Sequence, residues 1–394
     1  MSPIAVVCRK EIVDNVRDRR TMFSTLAFGP LFAMLMFVAI IQLAVNQAIS
    51  SAEQRLSVPI AGVEAADNLA AFLAARGIDP EPDHEIAGLD SAARAVAEGV
   101  HGFVVVIEDT YAESFGSDQA ARITIVFDRS DSRNSERAQR VQTELNAWSE
   151  RIGSLRLLAR GVNPAVVRPI IVDTYDISTP TGRSALMLGI LTYFLLFALL
   201  MGGTYLAIDT TAGERERKSL EPLLTTPVSR TSLLLGKVSA TTVFMLVSLA
   251  LTLIGLGIAM PHLPLDELGM SSGFTAMTAV YAFLLLAPFS VLGAFLMTLV
   301  ASFTKSYKEA QTWLGLLLLV PTLPVAIATM LNVEASQALM WVPSTSQHLL
   351  ITTLIKQEPV DPLMVVQSVM STLIYAGLIA LLAVRLYKRE ALLG

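Results

Sequence analysis

Apolar residues gather in six long runs, at about 22–45, 184–208, 232–258, 275–303, 312–332 and 363–385, none with an acidic residue in its interior. At 1.5 Å of rise per residue, about 20 residues cross a hydrocarbon core about 30 Å thick, so the pattern predicts six membrane-spanning helices. Ahead of the first run, Ile4, Val7, Cys8, Ile12 and Val16 recur at helical intervals opposite Arg9, Lys10, Glu11, Asp14 and Arg17. This predicts an amphipathic helix lying along the membrane surface, the alternative being a solvated basic leader. Between the first and second runs the period changes. Apolar strings of strand length at 58–63, 103–107, 123–127 and 169–175 alternate with helical stretches at 66–76, 91–98 and about 134–160, which predicts a compact α/β domain.

The division that follows is an amphipathic helix at 1–21, a first span at 22–45, an α/β domain at 46–183, and five further spans within 184–394. Candidate linkers are 46–53 and 178–183. With 53% apolar and 16% charged residues, the whole fits a polytopic helical membrane protein. Ser50, Ser51 and Ala52 have the look of a signal-peptidase site, but the leader carries acids and the run exceeds a signal peptide's 7–15 residues, so a permanent span is expected. Prolines 30, 288, 321 and 324 fall inside spans. Packing kinks or hinges are both open readings.

Charge gives the orientation. Lysine and arginine collect in the leader (Arg9, Lys10, Arg17, Arg19, Arg20), in 209–231 (Arg215, Arg217, Lys218, Arg230), in the fourth-to-fifth connection (Lys305, Lys308) and in the tail (Arg385, Lys388, Arg389); 259–274 has none and 333–362 has Lys356. Every basic connection falls on one side of a six-span arrangement, which predicts cytoplasmic N and C termini and an extracytoplasmic α/β domain. That domain region, 51–183, has 13 arginines, no lysine and 20 acids, a net charge of −7 against +2 for the rest. The last outer connection, 333–362, mixes Trp341, Pro343 and His348 with an apolar stretch too short to cross. It is expected to be re-entrant or to lie at the interface.

The segment 209–231 is a charged island between two spans. Five consecutive charges, Glu214, Arg215, Glu216, Arg217 and Lys218, would cost roughly 3 kcal/mol each at a bilayer centre, so the island is expected outside the hydrocarbon. Leu220, Leu223 and Leu224 fall at i, i+3 and i+4, a leucine face on a short helix beside Glu221. The order Glu214-x-Glu216, Leu220-Glu221-x-Leu223-Leu224-x-x-Pro227-x-Ser229-Arg230 and Leu235-Gly236-Lys237 resembles the loop between the second and third spans of ABC-2-type exporter permeases. Lys218-Ser219 departs from the Gly-Thr common there, and Pro222 from an aromatic or aliphatic residue. The resemblance runs nearly end to end and is nearest to the NatB-type branch, which carries an inserted outer domain. It implies a six-helix ABC-2 (type V exporter) fold, with a coupling helix in this loop and an N-terminal surface helix that together frame the docking site of an ATPase. Carried onto this chain, the coupling residues are Glu214, Arg215, Glu216, Arg217, Lys218, Leu220, Glu221, Leu223, Leu224, Lys10, Glu11, Arg17 and Arg19. The outer segment of Trp341, Pro343 and His348 is implied to close the exit.

Catalytic chemistry is not expected. No Gly-x-x-x-x-Gly-Lys-[Ser/Thr] occurs, so ATP and Mg are expected on a partner subunit and no cofactor in this chain. Four histidines and one cysteine lack ligand spacing, so no metal site and no disulfide are expected. Polar span residues such as Ser248, Thr252, Ser290, Thr298, Gln367 and Ser368 read mostly as interhelical hydrogen bonds. The expectation is an ABC exporter permease in a bacterial or archaeal inner membrane, paired with a second permease chain (homodimer or heterodimer), two ATPase subunits and membrane lipids, with no nucleic acid. Sodium efflux, implied by the resemblance, stands beside export of a lipid, peptide or hydrophobic drug. A membrane-anchored sensor or assembly protein is the reading from another class.

Overall fold

The computed structural model describes residues 2–53, 55–167, 179–219, 222 and 227–388. Two compact units emerge, one of Met1–Ile49 with Ile177–Gly394 and one of Ser50–Asp176. Of the sequence-derived elements, the string 169–175 and the residues Leu220, Glu221, Leu223 and Leu224 lie outside the described residues.

The first unit is helical. Helix α1 is Pro3–Arg17, started by Ser2, whose Oγ accepts from the Ala5 N–H. A short turn, Arg19–Met22, and a π-helical segment, Phe23–Phe28, lead into α2, Gly29–Glu53. Pro30 explains the π segment: its ring displaces the carbonyl four residues back, and the wider turn makes room. The 46–53 linker expected from polarity is helix instead, since it contains neither Gly nor Pro and a change of polarity ends a span without ending a helix.

The run expected as one helix at 184–208 is two. Helix α7, Pro180–Leu188, begins inside the expected 178–183 linker on a Thr179 cap and breaks at Gly189; α8, Leu191–Ile208, follows. Then come α9 (Arg230–Ala259), α10 (Ala276–Phe303), α11 (Tyr307–Met330), α12 (Thr345–Ile355) and α13 (Pro362–Lys388). Ser229, Thr275 and Ser306 cap α9, α10 and α11 by accepting the N–H three residues on. Among the described residues, six stretches are long and apolar enough to cross a membrane: Gly29–Ser50, Leu191–Glu216, Arg230–His262, Ala276–Phe303, Tyr307–Met330 and Pro362–Tyr387.

Helix α8 is the hub, with 72% of its apolar stretch buried against 22% for the first and last spans, and it packs on α9, α10 and α11. Gly202 lets α9 close on it, because a Cβ there would sit 2.4 Å from the Ser248 Cβ. Gly257, further along α9, faces open space. Helix α12 is no surface helix: every residue from Thr345 to Ile351 is buried.

Among the described residues the second unit holds a four-stranded sheet in the order β2-β1-β3-β4, with β1 Leu56–Ala61, β2 Ile78–Pro82, β3 Phe103–Ile107 and β4 Ile123–Phe127. Strand β1 is parallel to β2 and β3, and β4 antiparallel to β3. Helices α3 (Asp67–Ala75), α4 (Leu89–Ala97), α5 (Tyr111–Gly116) and α6 (Ser132–Ala159) accompany it. Two cores result: Leu69, Phe72 and Val141 pack with Val58, Ile60 and Val105, while Ala92 packs with Val104 and Val106. Strand β2, Ile-Asp-Pro-Glu-Pro, escaped the sequence reading because Pro80 and Pro82 argue against a strand; it lies at the sheet edge, where a missing N–H is tolerated.

Candidate functional site

The charged island does not begin where the apolar run ends. Helix α8 continues through a π turn, Asp209–Gly213, and one further turn, Glu214–Glu216. Thr210 and Thr211 hydroxyls donate back to the Leu206 and Ala207 carbonyls, an arrangement that widens a helix. The helix stops at Lys218, whose φ is +55°. The Ser219 N–H donates to the Glu214 carbonyl (2.9 Å) and the Lys218 N–H to the Arg215 carbonyl (3.0 Å), the paired bonds of a Schellman termination. A glycine is usual at that left-handed position. Here a lysine holds it.

Three charges of the island, Glu214, Arg215 and Glu216, are tied to other elements. Glu214 is 6% exposed and Lys237, on α9, 0%. Lys237 Nζ donates to Glu214 Oε2 and to the Thr210 carbonyl (2.5 Å), a carbonyl of the π turn. Arg215 reaches the end of α10, donating to the Ser302 and Thr304 carbonyls at 2.8 Å each. Glu216 accepts from the Tyr307 N–H (2.7 Å), the first residue of α11. A cation on the carbonyl end of one helix and an anion on the amide end of the next both suit the helix dipoles. Arg217 turns back on Asp209 (2.8 Å).

Helix α1 closes the joint. Its buried stripe is Val7, Glu11 and Asn15, with Ile4, Cys8 and Ile12 partly buried, while Val6, Val13 and Val16 are exposed. The expected apolar face is thus split: Cys8 and Ile12 pack with Leu206, Ala240 and Phe244, but Val16 does not join them. The approach to α9 depends on Gly236, where a Cβ would stand 2.5 Å from Val7 Cγ1 and 3.2 Å from the Ile4 carbonyl. Lys10 bridges Glu11 (3.0 Å), Asp14 (3.6 Å) and Glu214 (3.9 Å). Burial raises the Glu11 carboxyl, a push that Glu214 reinforces and Lys10 and Lys237 oppose. Desolvation pulls the Lys10 ammonium down, but Glu11, Glu214 and Asp14 together leave it above its ordinary value.

The structure therefore brings Lys10, Glu11, Glu214, Arg215, Glu216 and Arg217 into one joint, while Arg17 and Arg19 stay exposed and outside it. Glu214 is buried against its lysine, as a buried acid requires, and Arg215 is turned onto the carbonyl end of α10. Sequence reasoning did not rank Lys237, Asp209 or Asn15 as site residues. The signal for Lys237 was a single cation near the head of an apolar run.

At the other end of unit 1, Trp341 is exposed, Pro343 half-buried and His348 buried. Residues Ser346 and Gln347 of α12 hydrogen-bond Ser368 and Thr372 of α13. Among the described residues no group of His, Cys, Asp or Glu is arranged to hold a metal.

A family model described as ABC-2 family transporter protein matches residues 19–385. The chain is also 25% identical, over 337 residues covering 81% of each chain, to the ABC transporter permease protein NatB of Bacillus subtilis (strain 168). The six apolar helices, the tied island and the span of that match agree: the chain belongs to the ABC-2 family of transporter proteins, as a multi-pass membrane subunit.

Proposed function

We propose that the chain is the permease subunit of an ATP-driven exporter, with an ABC ATPase engaging the island and α1. The observation that carries this reading is the joint: island, α1, α9 and the α10–α11 turn are tied by Lys237, Arg215, Glu216 and Lys10, so a force on any one is passed to all. Two ATPase subunits and two permease chains would form the complex, and closure of the ATPases would rock the spans between two openings. The lysine and arginine bias of the connectors supports cytoplasmic termini and island, with the α/β unit outside. Sodium is one substrate this arrangement admits; a lipid, peptide or hydrophobic drug taken from the bilayer is the other.

The test is co-expression with a candidate ABC ATPase and purification on a tag carried by the permease. A stable complex whose ATP hydrolysis is faster than that of the ATPase alone is expected. Recovery of the permease alone, with hydrolysis unaffected, would overturn the reading, and flux of sodium against flux of labelled lipid in proteoliposomes separates the substrates.

A further inference from the structure

Helix α12 is joined to α13 by side chains that carry no charge. Ser368 Oγ donates to Ser346 Oγ (2.8 Å), and Ser346 Oγ to Gln347 Oε1 (3.2 Å). Gln347 Nε2 donates to Thr372 Oγ1 (2.7 Å), which donates to the Ser368 carbonyl (2.9 Å). Every hydroxyl hydrogen is used once and the relay returns to Ser368, so these four side chains are partnered.

Their neighbours are not. Among the described residues, eight buried side-chain atoms lack a partner, and four of them lie within one helical turn of this relay: Ser344 Oγ just ahead of α12, His348 Nδ1 on it, and Gln367 Oε1 and Ser371 Oγ on α13. Ser344, His348 and Ser371 are 1%, 3% and 1% exposed. Native proteins rarely bury polar groups without partners, and where they cluster a small polar molecule ordinarily supplies the missing bonds.

The donor inventory says what kind. Thr329 Oγ1 gives its hydrogen to the Val325 carbonyl (2.8 Å), so across 3.3 Å it receives one from His348 Nε2. His348 Nδ1 is then a bare acceptor, and burial, which lowers the imidazole pKa to about 4, keeps it so at neutral pH. Gln367 Oε1 accepts only, while the two serine hydroxyls do either. None of the eight residues of the relay and its neighbours is an acid, a lysine or an arginine.

We propose that the α12–α13 seam is a binding site for small uncharged hydrogen-bond donors, either resident water or a hydroxyl of a substrate passing along it. The Ser344 backbone, at φ +71° with its N–H on Gln347 Oε1 (2.7 Å), presents its hydroxyl at the head of this seam.

Two measurements on the full chain test it. In a Cys8→Ala background, Ser371→Cys and Ser344→Cys are each reacted with methyl methanethiosulfonate, a small neutral probe. Only a thiolate attacks, and a thiol in dry packing does not ionise. The comparison is Ser290→Cys, equally buried but with its hydroxyl bonded to the Ala287 carbonyl of its own helix. At least tenfold faster reaction at 371 or 344 is expected. Fast reaction in the isolated chain marks resident water; reaction that accelerates when a partner ATPase, Mg and ATP are supplied marks the passing substrate. The resting arm does not depend on the transport reading. Thiols at both positions as inert as at 290, with and without ATP, would overturn the site. Independently, Ser371→Ala should lower the apparent melting temperature if the hydroxyl has a bound partner, and a rise would count against one.

Discussion

At the scale of single residues, the joint turns on where charge is buried. Removing one partner of the Glu214–Lys237 pair leaves the other as an uncompensated buried charge, so Lys237→Met should cost about 3–5 kcal/mol and the double change Glu214→Gln with Lys237→Met should recover most of it. Thermal unfolding of the purified chain in detergent, run as a double-mutant cycle, reads this; equal losses in single and double variants would show that the pair is not the cause. Lys218 offers the opposite sign. Relieved of its left-handed backbone, the Lys218→Gly chain should be more stable by about 1 kcal/mol, seen as a higher apparent melting temperature. Glu11 makes a pH prediction. Its carboxyl is raised by burial, so the folded form binds the proton more tightly than the unfolded one. The stability contributed is full below the unfolded value, about 4.3, and is lost as pH rises through the raised value. Protease sensitivity of α1 should increase across that window and become flat in Glu11→Gln; an unchanged profile would remove Glu11 as the titrating group. Charges at these positions were legible as residues of an island and a leader. That Glu214 faces Lys237, 23 positions away, was not, because side-chain periodicity along one segment carries no information about its partner on another.

At the scale of elements, α1 and α9 illustrate what a pattern can and cannot fix. The apolar positions 4, 7, 8, 12 and 16 recur at a helical period and Pro3–Arg17 is helical, yet its buried stripe holds Glu11 and Asn15 in place of Val16, since α9 offers Lys237 opposite Glu11. Gly236 sets the distance between the two helices. Gly236→Val should push α1 from its seat, increase cleavage within residues 3–17 by protease and reduce recovery of a co-expressed ATPase, while Gly257→Val, which meets open space, should leave both unchanged. Equal behaviour of the two variants would deny α1 its packing role. The break at Gly189 and the π turn at Asp209–Gly213 were hidden in continuous apolar or polar strings, because helix geometry inside a span answers to neighbours as much as to local propensity.

At the scale of the whole molecule, the sidedness of the connectors is a claim about the membrane. In a Cys8→Ala background, Val100→Cys in the α/β unit should react with an impermeant maleimide added outside intact cells, and Lys218→Cys should react only after lysis; both positions are exposed. The reverse pattern would invert the topology and move the joint away from any cytoplasmic ATPase. In the proposed reading ATP acts from the island side, through the ABC ATPase that membership of the ABC-2 permease family implies.

Sequence alone determined the number of spans, the division into a helical and an α/β unit, and the family, because hydrophobic length, strand-length strings and a short ordered motif are all properties of neighbouring positions. Tertiary structure alone decided which charges are buried, that α12 is packed within the helical unit, and that Ser346 and Gln347 of α12 hydrogen-bond Ser368 and Thr372 of α13. These are meetings of residues far apart in the chain, and burial, which gives a charge or a hydroxyl its energetic weight, exists only once the helices have packed.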